Sequence, residues 1–189
     1  MQPNTFLMMG RPGAGKGTQA KLLAKKLGAR VFSTGDELRE RTQQENFFGK
    51  KIKEVMDAGD LLPGWIGGLL YTQTLVSLEP QDKIVFEGAC RTEPEAVRFA
   101  EISDWLKRRF VAVNLMAGAE HLRERLIKRA AVEGRSDDAE AVIVERFREY
   151  EEKTAPAVEF FRSNGKLVEV NGEQSIEQVH AEVCKELGI

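Results

Sequence analysis

The sequence predicts an α/β fold of three layers, in which helices cover both faces of a five-stranded parallel sheet. Apolar segments of strand length alternate along the chain with helical patterns, which is typical of βαβ units. The first of these segments leads into a glycine-rich turn that opens a helix. The 189 residues are 42% hydrophobic and 31% charged, which suits one soluble domain with a core of its own.

Five segments are predicted as strands, at residues 5–9, 30–33, 83–86, 110–115 and 166–170. Strands that alternate with helices are joined by right-handed crossovers and lie parallel to one another. Ligands of such sheets bind at the carboxyl ends of the strands. The residues that follow each strand are therefore the candidates for function.

The first strand is followed by GRPGAGKGTQ at residues 10–19. Glycines let the backbone approach an anion and turn its N–H groups toward it, and the next helix adds its partly positive end. Lys16 adds a mobile charge, and Thr18 adds a hydroxyl that can reach a magnesium ion. Residues 10–16 fit a phosphate-binding loop, although Gly17 stands where serine or threonine is usual. The alternative is a glycine-rich turn with a surface lysine.

The second strand is followed by a helical excursion, predicted over residues 33–62. Thr34 and Glu37 match a capping box. That pattern leaves Arg39, on the first turns of the same helix, unexplained. Amphipathic segments follow at residues 37–44 and 47–58, and Pro63 is predicted as a first-turn proline of the next helix.

The third strand is followed by Glu87 and Arg91. A carboxylate at a strand end beside a phosphate loop is a candidate for the water shell of a magnesium ion. An arginine there is a candidate clamp for a phosphate. The alternative for each residue is a solvated loop charge.

Four arginines follow the fourth strand, at positions 125, 129, 135 and 146. Arg125 and Arg129 are four residues apart and share one helix face. Glutamates lie among them, so charge alone does not define a site. Asp137 and Glu140 match a second capping box, which accounts for part of the acidic pair at 137–138. Residues 129–139 are predicted as a second mobile piece of the single domain, beside residues 33–62.

The overall composition excludes several classes of function. With a net charge of −2, nothing argues for a nucleic-acid surface, and no apolar run is long enough to cross a membrane. The start of the chain lacks the pattern of a signal peptide. Two cysteines and two histidines supply neither a disulfide framework nor a zinc site of conventional spacing. We expect a cytoplasmic protein with no membrane or nucleic-acid partner.

Seven motifs resemble those of adenylate kinases and their nucleoside monophosphate (NMP) kinase relatives, in order and spacing, from end to end. They are GRPGAGKGTQ (10–19), FSTGDELR (32–39), GDLLP (59–63), EGACRT (87–92), RLIKR (125–129), GRSDD (134–138) and VERFREYEEKTAP around Arg146. The short loop from Arg129 to Arg135 resembles the short-lid type. The resemblance implies the reaction ATP + NMP = ADP + NDP with Mg²⁺, with AMP as the expected acceptor and GMP, CMP or UMP as alternatives. It also implies a monomer.

The resemblance further implies roles by position. The ATP site would comprise Gly13, Ala14, Gly15, Lys16, Gly17, Thr18, Arg125, Arg129 and Gln174. The NMP site, within an NMP-binding subdomain at 33–62, would comprise Thr34, Arg39, Asp60, Leu61, Leu62, Gly88, Arg91, Glu95, Arg135 and Arg146. The catalytic cations would be Lys16, Arg91, Arg129, Arg135 and Arg146. Asp137 and Asp138 would orient the arginines of the lid at 129–139, and Thr18 and Glu87 would hold the metal, the latter through water.

The chain departs from the family motif D-G-[FY]-P-R at three positions. Glu87 replaces the aspartate, Ala89 the aromatic residue and Cys90 the proline. Glu87 keeps the charge on a longer side chain, and Cys90 loses the constraint that proline places on the backbone. One alternative is therefore a nucleotide-binding module whose catalysis has decayed. Another is a P-loop enzyme that hydrolyses its nucleotide, although no residue that would orient water is identified.

Glu95 stands where adenylate kinases carry a glutamine that reads the adenine edge. Glutamine offers one donor and one acceptor, whereas an ionised carboxylate only accepts. Guanine presents two adjacent donors and suits a carboxylate better. The hypothesis is a base preference that is relaxed or shifted toward GMP. The alternative is that Glu95 points to solvent or is a neighbour of the residue that reads the base.

Overall fold

A parallel sheet of five strands forms the centre of the computed structural model, which describes residues 2–133 and 138–189. The strands are Thr5–Gly10 (β1), Arg30–Ser33 (β2), Ile84–Glu87 (β3), Phe110–Met116 (β4) and Leu167–Asn171 (β5). Their spatial order is β2-β3-β1-β4-β5, and every pair is parallel. The five predicted strands are confirmed, each within one residue at either end. The chain order reverses at β1, so a crevice is expected at its carboxyl end.

Nine helices surround the sheet in the described part of the chain. They are Lys16–Leu27 (α1), Thr34–Thr42 (α2), Phe47–Ala58 (α3), Gly64–Val76 (α4), Glu93–Trp105 (α5), Ala119–Glu133 (α6), Glu140–Glu149 (α7), Ala155–Ser163 (α8) and Ile176–Leu187 (α9). A π-helical turn, Tyr150–Thr154, joins α7 to α8. None of the helices described is both long enough and apolar enough for a membrane span.

The strand β1 is buried on both faces and divides the core into two layers. Leu7 packs with Phe99 of α5 in the first layer. Phe6 packs with Leu23 of α1 and Val183 of α9 in the second layer. Each such side chain contributes about 1.5–3 kcal/mol relative to its exposed state. The predicted three-layer α/β/α fold is confirmed.

The start of α2 differs from the predicted capping box. The hydroxyl of Ser33 accepts a hydrogen bond from the backbone N–H of Asp36 at 3.3 Å, so Ser33 is the N-cap and the box from Thr34 and Glu37 is wrong. β2 keeps Ser33 extended, and the chain turns into the helix directly after it. Thr34 becomes the first helical residue and is buried. Pro63, predicted in the first turn of the next helix, is the N-cap of α4 and lies directly before that turn.

The predicted lid lies between α6 and α7. Residues 134–137, which include Arg135 and Asp137, lie outside the described residues. The helix α7 starts at Glu140 with Ala139 as its N-cap. A capping box from Asp137 and Glu140 requires a helix that starts two residues earlier, so that prediction is wrong for α7.

Candidate functional site

The glycine-rich loop lies between β1 and α1, at the carboxyl end of the central strand. Gly13 and Gly15 have φ values of 84° and 87°, which favour glycine. A Cβ atom on Gly13 would also lie 3.0 Å from the carbonyl oxygen of Leu122. Gly15 is the N-cap of α1, and no side chain among the described residues caps that end. The N–H groups of the first turn are therefore available to an anion.

The ammonium of Lys16 lies inside this loop. Its Nζ donates to the carbonyl oxygens of Gly10 at 2.8 Å and Arg11 at 2.9 Å. Burial lowers the pKa of Lys16 to about 7, against the opposing effect of the Glu87 carboxylate. The charges of Arg91, Arg146 and Arg129 lower the pKa further. These cations repel one another across a shared space. A polyphosphate bound there would neutralise their charge.

Two side chains with oxygen atoms that can bind a metal face the loop. Glu87, at the end of β3, accepts a hydrogen bond from the hydroxyl of Ser33 at 2.8 Å. Its carboxylate and the exposed residue Thr18 line the same cleft. Carboxylate, hydroxyl and phosphate oxygens are the ligands that Mg²⁺ prefers, with several waters retained. The donor set therefore fits a magnesium ion.

The loop from Gly88 to Arg91 has an unusual backbone. Cys90 has a φ of 58° although it carries a side chain, and it is fully buried. Proline is confined to φ near −65°, so this conformation excludes the proline of the family motif. Gly88 has a φ of 73°, and its carbonyl oxygen accepts from Nε of Arg91 at 2.9 Å. This bond fixes the guanidinium of Arg91 at the edge of the cleft.

The excursion from α2 to α4 forms the opposite wall of the cleft. The hydroxyl of Thr34 is buried there without a hydrogen-bond partner among the described residues. Arg39 lines the same wall and pairs with Asp36 one turn earlier on α2. The backbone N–H of Leu61 donates to Oε2 of Glu149 at 3.0 Å. In the segment predicted to bind through its backbone, this N–H is therefore already engaged.

Glu95 lies in the wall of the cleft, with only 7% of its surface exposed. The half of the alternative in which Glu95 points to solvent is therefore wrong. Its Oε2 accepts from the hydroxyl of Thr92 at 3.0 Å. Its Oε1 faces α4 at Gly67, where an added Cβ would lie 2.7 Å away. Burial raises the pKa of Glu95, against the opposing effects of Thr92 and Arg91.

An acidic residue holds two of the predicted arginines. Asp138 is 1% exposed, and both its oxygens accept from Arg129, at 2.6 Å from Nε and 2.8 Å from Nη2. Arg146 donates to the same carboxylate. The role predicted for Asp138, to orient these arginines for the reaction, stays a prediction. The carboxylate of Asp138 holds the guanidinium groups of Arg129 and Arg146 together at one end of the cleft.

Two cavities meet at the glycine-rich loop. The larger, of about 390 Å³, lies between the loop and the wall formed by α2 to α4. The smaller, of about 260 Å³, lies toward α6 and α9. Gly13, Gly15, Thr18 and Arg129 line both. The two cavities therefore share the glycine-rich loop and Arg129 as a common border.

The smaller cavity contains the remaining residues predicted for the donor nucleotide. Arg125 donates from Nη1 to the carbonyl oxygen of Gly172 at 2.9 Å, and both residues line the cavity. Gln174 lines it from the turn after β5, and its amide contacts the carboxylate of Glu182. Ala14 completes the loop side of this space.

The larger cavity brings together most of the predicted residues. They are Gly13, Gly15, Lys16, Gly17, Thr18, Thr34, Arg39, Asp60, Leu61, Leu62, Glu87, Gly88, Arg91, Glu95, Arg129 and Arg146. Sequence reasoning missed Glu149, Tyr150 and Thr154, which also line it. The spacing of Glu149 and Tyr150 from Arg146 was an available signal, because residues three and four apart share a helix face.

Comparison of the chain with known proteins identifies its family. The model of the family described as adenylate kinase matches residues 8–166. An adenylate kinase of Thermus thermophilus is 35% identical over 184 residues, which are 97% of this chain and 96% of that protein. An adenylate kinase of Leptospira biflexa is 36% identical over 183 residues, which are 96% of this chain and 98% of that protein. An adenylate kinase of Leifsonia xyli is 35% identical over 184 residues, which are 96% of this chain and 92% of that protein.

Proposed function

The chain belongs to the adenylate kinase family and is a nucleoside monophosphate kinase, and we propose that it transfers the terminal phosphoryl group of ATP to AMP. The proposal is carried by the two cavities that share the glycine-rich loop and Arg129. A direct transfer between two nucleotides needs two nucleoside sites whose phosphate ends meet. A hydrolase needs one nucleotide site and a positioned water.

On this proposal the smaller cavity takes the adenosine of ATP. Gln174 and Arg125 border the base, and the backbone from Gly13 to Thr18 binds the triphosphate. The uncapped N-terminus of α1 faces that triphosphate. Lys16 reaches the transferred group once a phosphate replaces its two carbonyl partners.

The larger cavity then takes AMP. Leu38, Met56 and Leu62 offer apolar contact to the faces of the base, and Thr34 and Glu95 offer polar atoms to its edge. Arg39 and Arg91 bind the α-phosphate. The segment from Asp60 to Leu62 closes this side of the base. Arg135, outside the described residues, is proposed to act with Arg146 on the phosphates.

Phosphoryl transfer requires positioning and neutralisation of charge rather than a protein nucleophile. Lys16, Arg91, Arg129 and Arg146 come from different elements and face one space, so they are suited to the charge on the equatorial oxygens. Thr18 and, through water, Glu87 would hold Mg²⁺. When bound, the ion would neutralise part of the charge of the phosphates.

Two alternatives start from the altered segment at residues 87–90. In a decayed module, nucleotides bind and no transfer occurs. In a P-loop hydrolase, ATP is consumed without an acceptor. The cationic set argues against decay, because a mere binding site has no need for cations converging from both sides of the transferred group. A cytoplasmic location and a monomeric state remain predictions.

A coupled assay with MgATP and each of AMP, GMP, CMP and UMP tests the proposal. We expect AMP to be phosphorylated and ATP to be stable without an acceptor. Lys16→Met is expected to lower kcat by roughly 100- to 1,000-fold, because it removes a charge directed at the transferred group. Lys25→Met on the exposed side of the same helix is the matched control and keeps wild-type rates. Binding of ATP and AMP without turnover would establish the decayed module instead.

A further inference from the structure

A buried carboxylate is an unusual group to find in the wall of a nucleoside cavity. Glu95 is 7% exposed and projects from the first turn of α5. The hydroxyl of Thr92 holds its Oε2, and Gly67 of α4 leaves room for its Oε1. A Cβ atom at position 67 would lie 2.7 Å from that oxygen, so the carboxylate would have to shift. The carboxylate is therefore held in a defined position beside the space for the acceptor base.

Several titratable and charged groups surround Glu95. The titratable and charged groups around it are Tyr71 of α4, Cys90 and Arg91 of the loop before α5, Arg98 of α5, and Asp36 and Arg39 of α2 in the same cleft. Burial raises the pKa of Tyr71 and of Cys90, so both stay neutral near pH 7. Arg39 lowers the pKa of Asp36, which stays ionised.

The two forms of this carboxyl group match different bases. The acid has one O–H donor and one carbonyl acceptor, as glutamine has a donor and an acceptor. Adenine presents the complementary pair, the N1 acceptor and the 6-amino donor. The ionised form has two acceptors, and guanine presents two adjacent donors, N1–H and the 2-amino group. Uracil and cytosine present no such pair of adjacent donors.

We propose that Glu95 selects the acceptor base in two forms: as a carboxylic acid it binds adenine, and as a carboxylate it binds guanine. GMP is then a second substrate of this enzyme, favoured as the pH rises. The terminal phosphoryl group of ATP passes to a phosphate oxygen of GMP, which yields ADP and GDP. This inference rests on the proposed NMP site in the larger cavity.

The surroundings of Glu95 act in opposite directions on its two forms. Burial extends the acid form to higher pH than in an exposed glutamate. The hydroxyl of Thr92 and the charge of Arg91 favour the carboxylate, so the acid form is lost as the pH rises further. A plain glutamine at this position has no such transition.

The test is the ratio of kcat/KM for GMP to kcat/KM for AMP, measured from about pH 5 to about pH 8. The ionisation of the nucleotide phosphate is common to both substrates and cancels in the ratio. In the wild type we expect the ratio to rise with pH by roughly 10- to 100-fold, the discrimination typical of one bidentate contact to a base. In Glu95→Gln the ratio should favour AMP and stay constant with pH.

Two further variants separate base selection from a structural effect. Glu93→Gln changes an exposed carboxylate on the same turn and should leave the pH profile of the ratio as it is in the wild type. Thr92→Val removes the bond that favours the ionised form, so the rise of the ratio should move to higher pH. A loss of packing alone would change both substrates together and would not move this profile.

Equilibrium binding of AMP and GMP over the same pH range, by calorimetry, separates this inference from the proposed reaction. The ratio of GMP affinity to AMP affinity could rise with pH in the wild type and stay constant in Glu95→Gln while no turnover is seen. That result would support base selection and overturn the kinase activity. A ratio that is flat with pH and unchanged in Glu95→Gln would overturn base selection and leave the reaction with AMP standing. Failure of both nucleotides to bind would overturn both.

Discussion

Arg129 of α6 donates two hydrogen bonds to Asp138, from Nε to Oδ2 at 2.6 Å and from Nη2 to Oδ1 at 2.8 Å. Such a forked pair fixes the plane of the guanidinium as well as its position. Asp138 is 1% exposed and also accepts from Arg146. The two cations on α6 and α7 therefore take their orientation from one buried carboxylate.

Asp138→Asn is expected to lower kcat by roughly 100-fold, because a small misplacement of groups that stabilise the transition state is costly. The amide keeps the size of the side chain and loses the charge that holds both guanidinium groups. Steady-state kinetics with ATP and AMP measure the effect. Asp104→Asn, at an exposed position on α5, is the control. A variant at position 138 with wild-type kcat would show that the pair does not position the arginines for catalysis.

Glu149→Ala is expected to lower the free energy of unfolding by about 1–3 kcal/mol. The carboxylate of Glu149 is buried and accepts from the N–H of Leu61 at 3.0 Å and from the ammonium of Lys153 at 2.7 Å. Both donors lose a partner in the variant. Urea denaturation monitored by circular dichroism measures the change. KM for AMP should rise as well, since Leu61 lies in the wall of the larger cavity.

Glu152→Ala is the control for position 149. Its carboxylate pairs with Arg148 at the surface, and the side chain is 52% exposed. Surface pairs of this kind contribute less than about 1 kcal/mol. Equal losses at positions 149 and 152 would contradict a special role for the contact with Leu61.

The stability difference between Glu95→Gln and the wild type is expected to grow with pH. Burial raises the pKa of Glu95 in the folded state above its value in the unfolded chain. Above the ordinary glutamate range, the unfolded chain therefore binds fewer protons at this residue than the folded protein does. The contribution of Glu95 to stability is thus fully present at low pH and is lost as the pH rises through the folded pKa.

Urea denaturation of both proteins at about pH 4 and at about pH 8 tests this sign. At the higher pH, the free energy of unfolding of the variant should rise relative to that of the wild type, because glutamine does not ionise. Glu93→Gln, which alters an exposed carboxylate on the same turn, should show no such trend. A difference that shrinks with rising pH would mean that the folded state favours the ionised form.

Cys90→Pro is expected to destabilise the protein by more than about 1 kcal/mol. Cys90 has a φ of 58°, which the proline ring cannot adopt. Cys90→Ala keeps a compatible backbone and loses only the buried thiol, so it separates the two effects. Thermal unfolding of the three proteins gives the comparison. Equal stability of the proline variant and the wild type would contradict the positive φ.

The fold was predictable because its signals are periodic and local. The strands carry short apolar runs, and the glycines from 10 to 17 match a loop whose geometry depends on their missing side chains. The cations of the site were predictable because each follows a strand end or repeats on one helix face. The roles assigned to individual residues stay predictions until the variants are measured.

Other features depend on contacts that no local pattern contains. Both Ser33 and Thr34 can cap a helix, and the end of β2 decides in favour of Ser33. The burial of Glu95 depends on the glycines of α4, which lie far from it in sequence. The π-helical turn that brings Tyr150 and Thr154 to the cleft breaks the helical period on which sequence reasoning relies.

Phosphorus NMR of a mixture of ATP, AMP and Mg²⁺ with catalytic amounts of the protein tests whether the phosphoryl group passes directly from ATP to AMP. We predict that ATP and AMP disappear in equal amounts, that two ADP form for each pair, and that no inorganic phosphate is released. Release of inorganic phosphate while AMP remains unchanged would contradict direct transfer between two nucleotides held at one loop. An unchanged spectrum would contradict any kinase activity with these substrates.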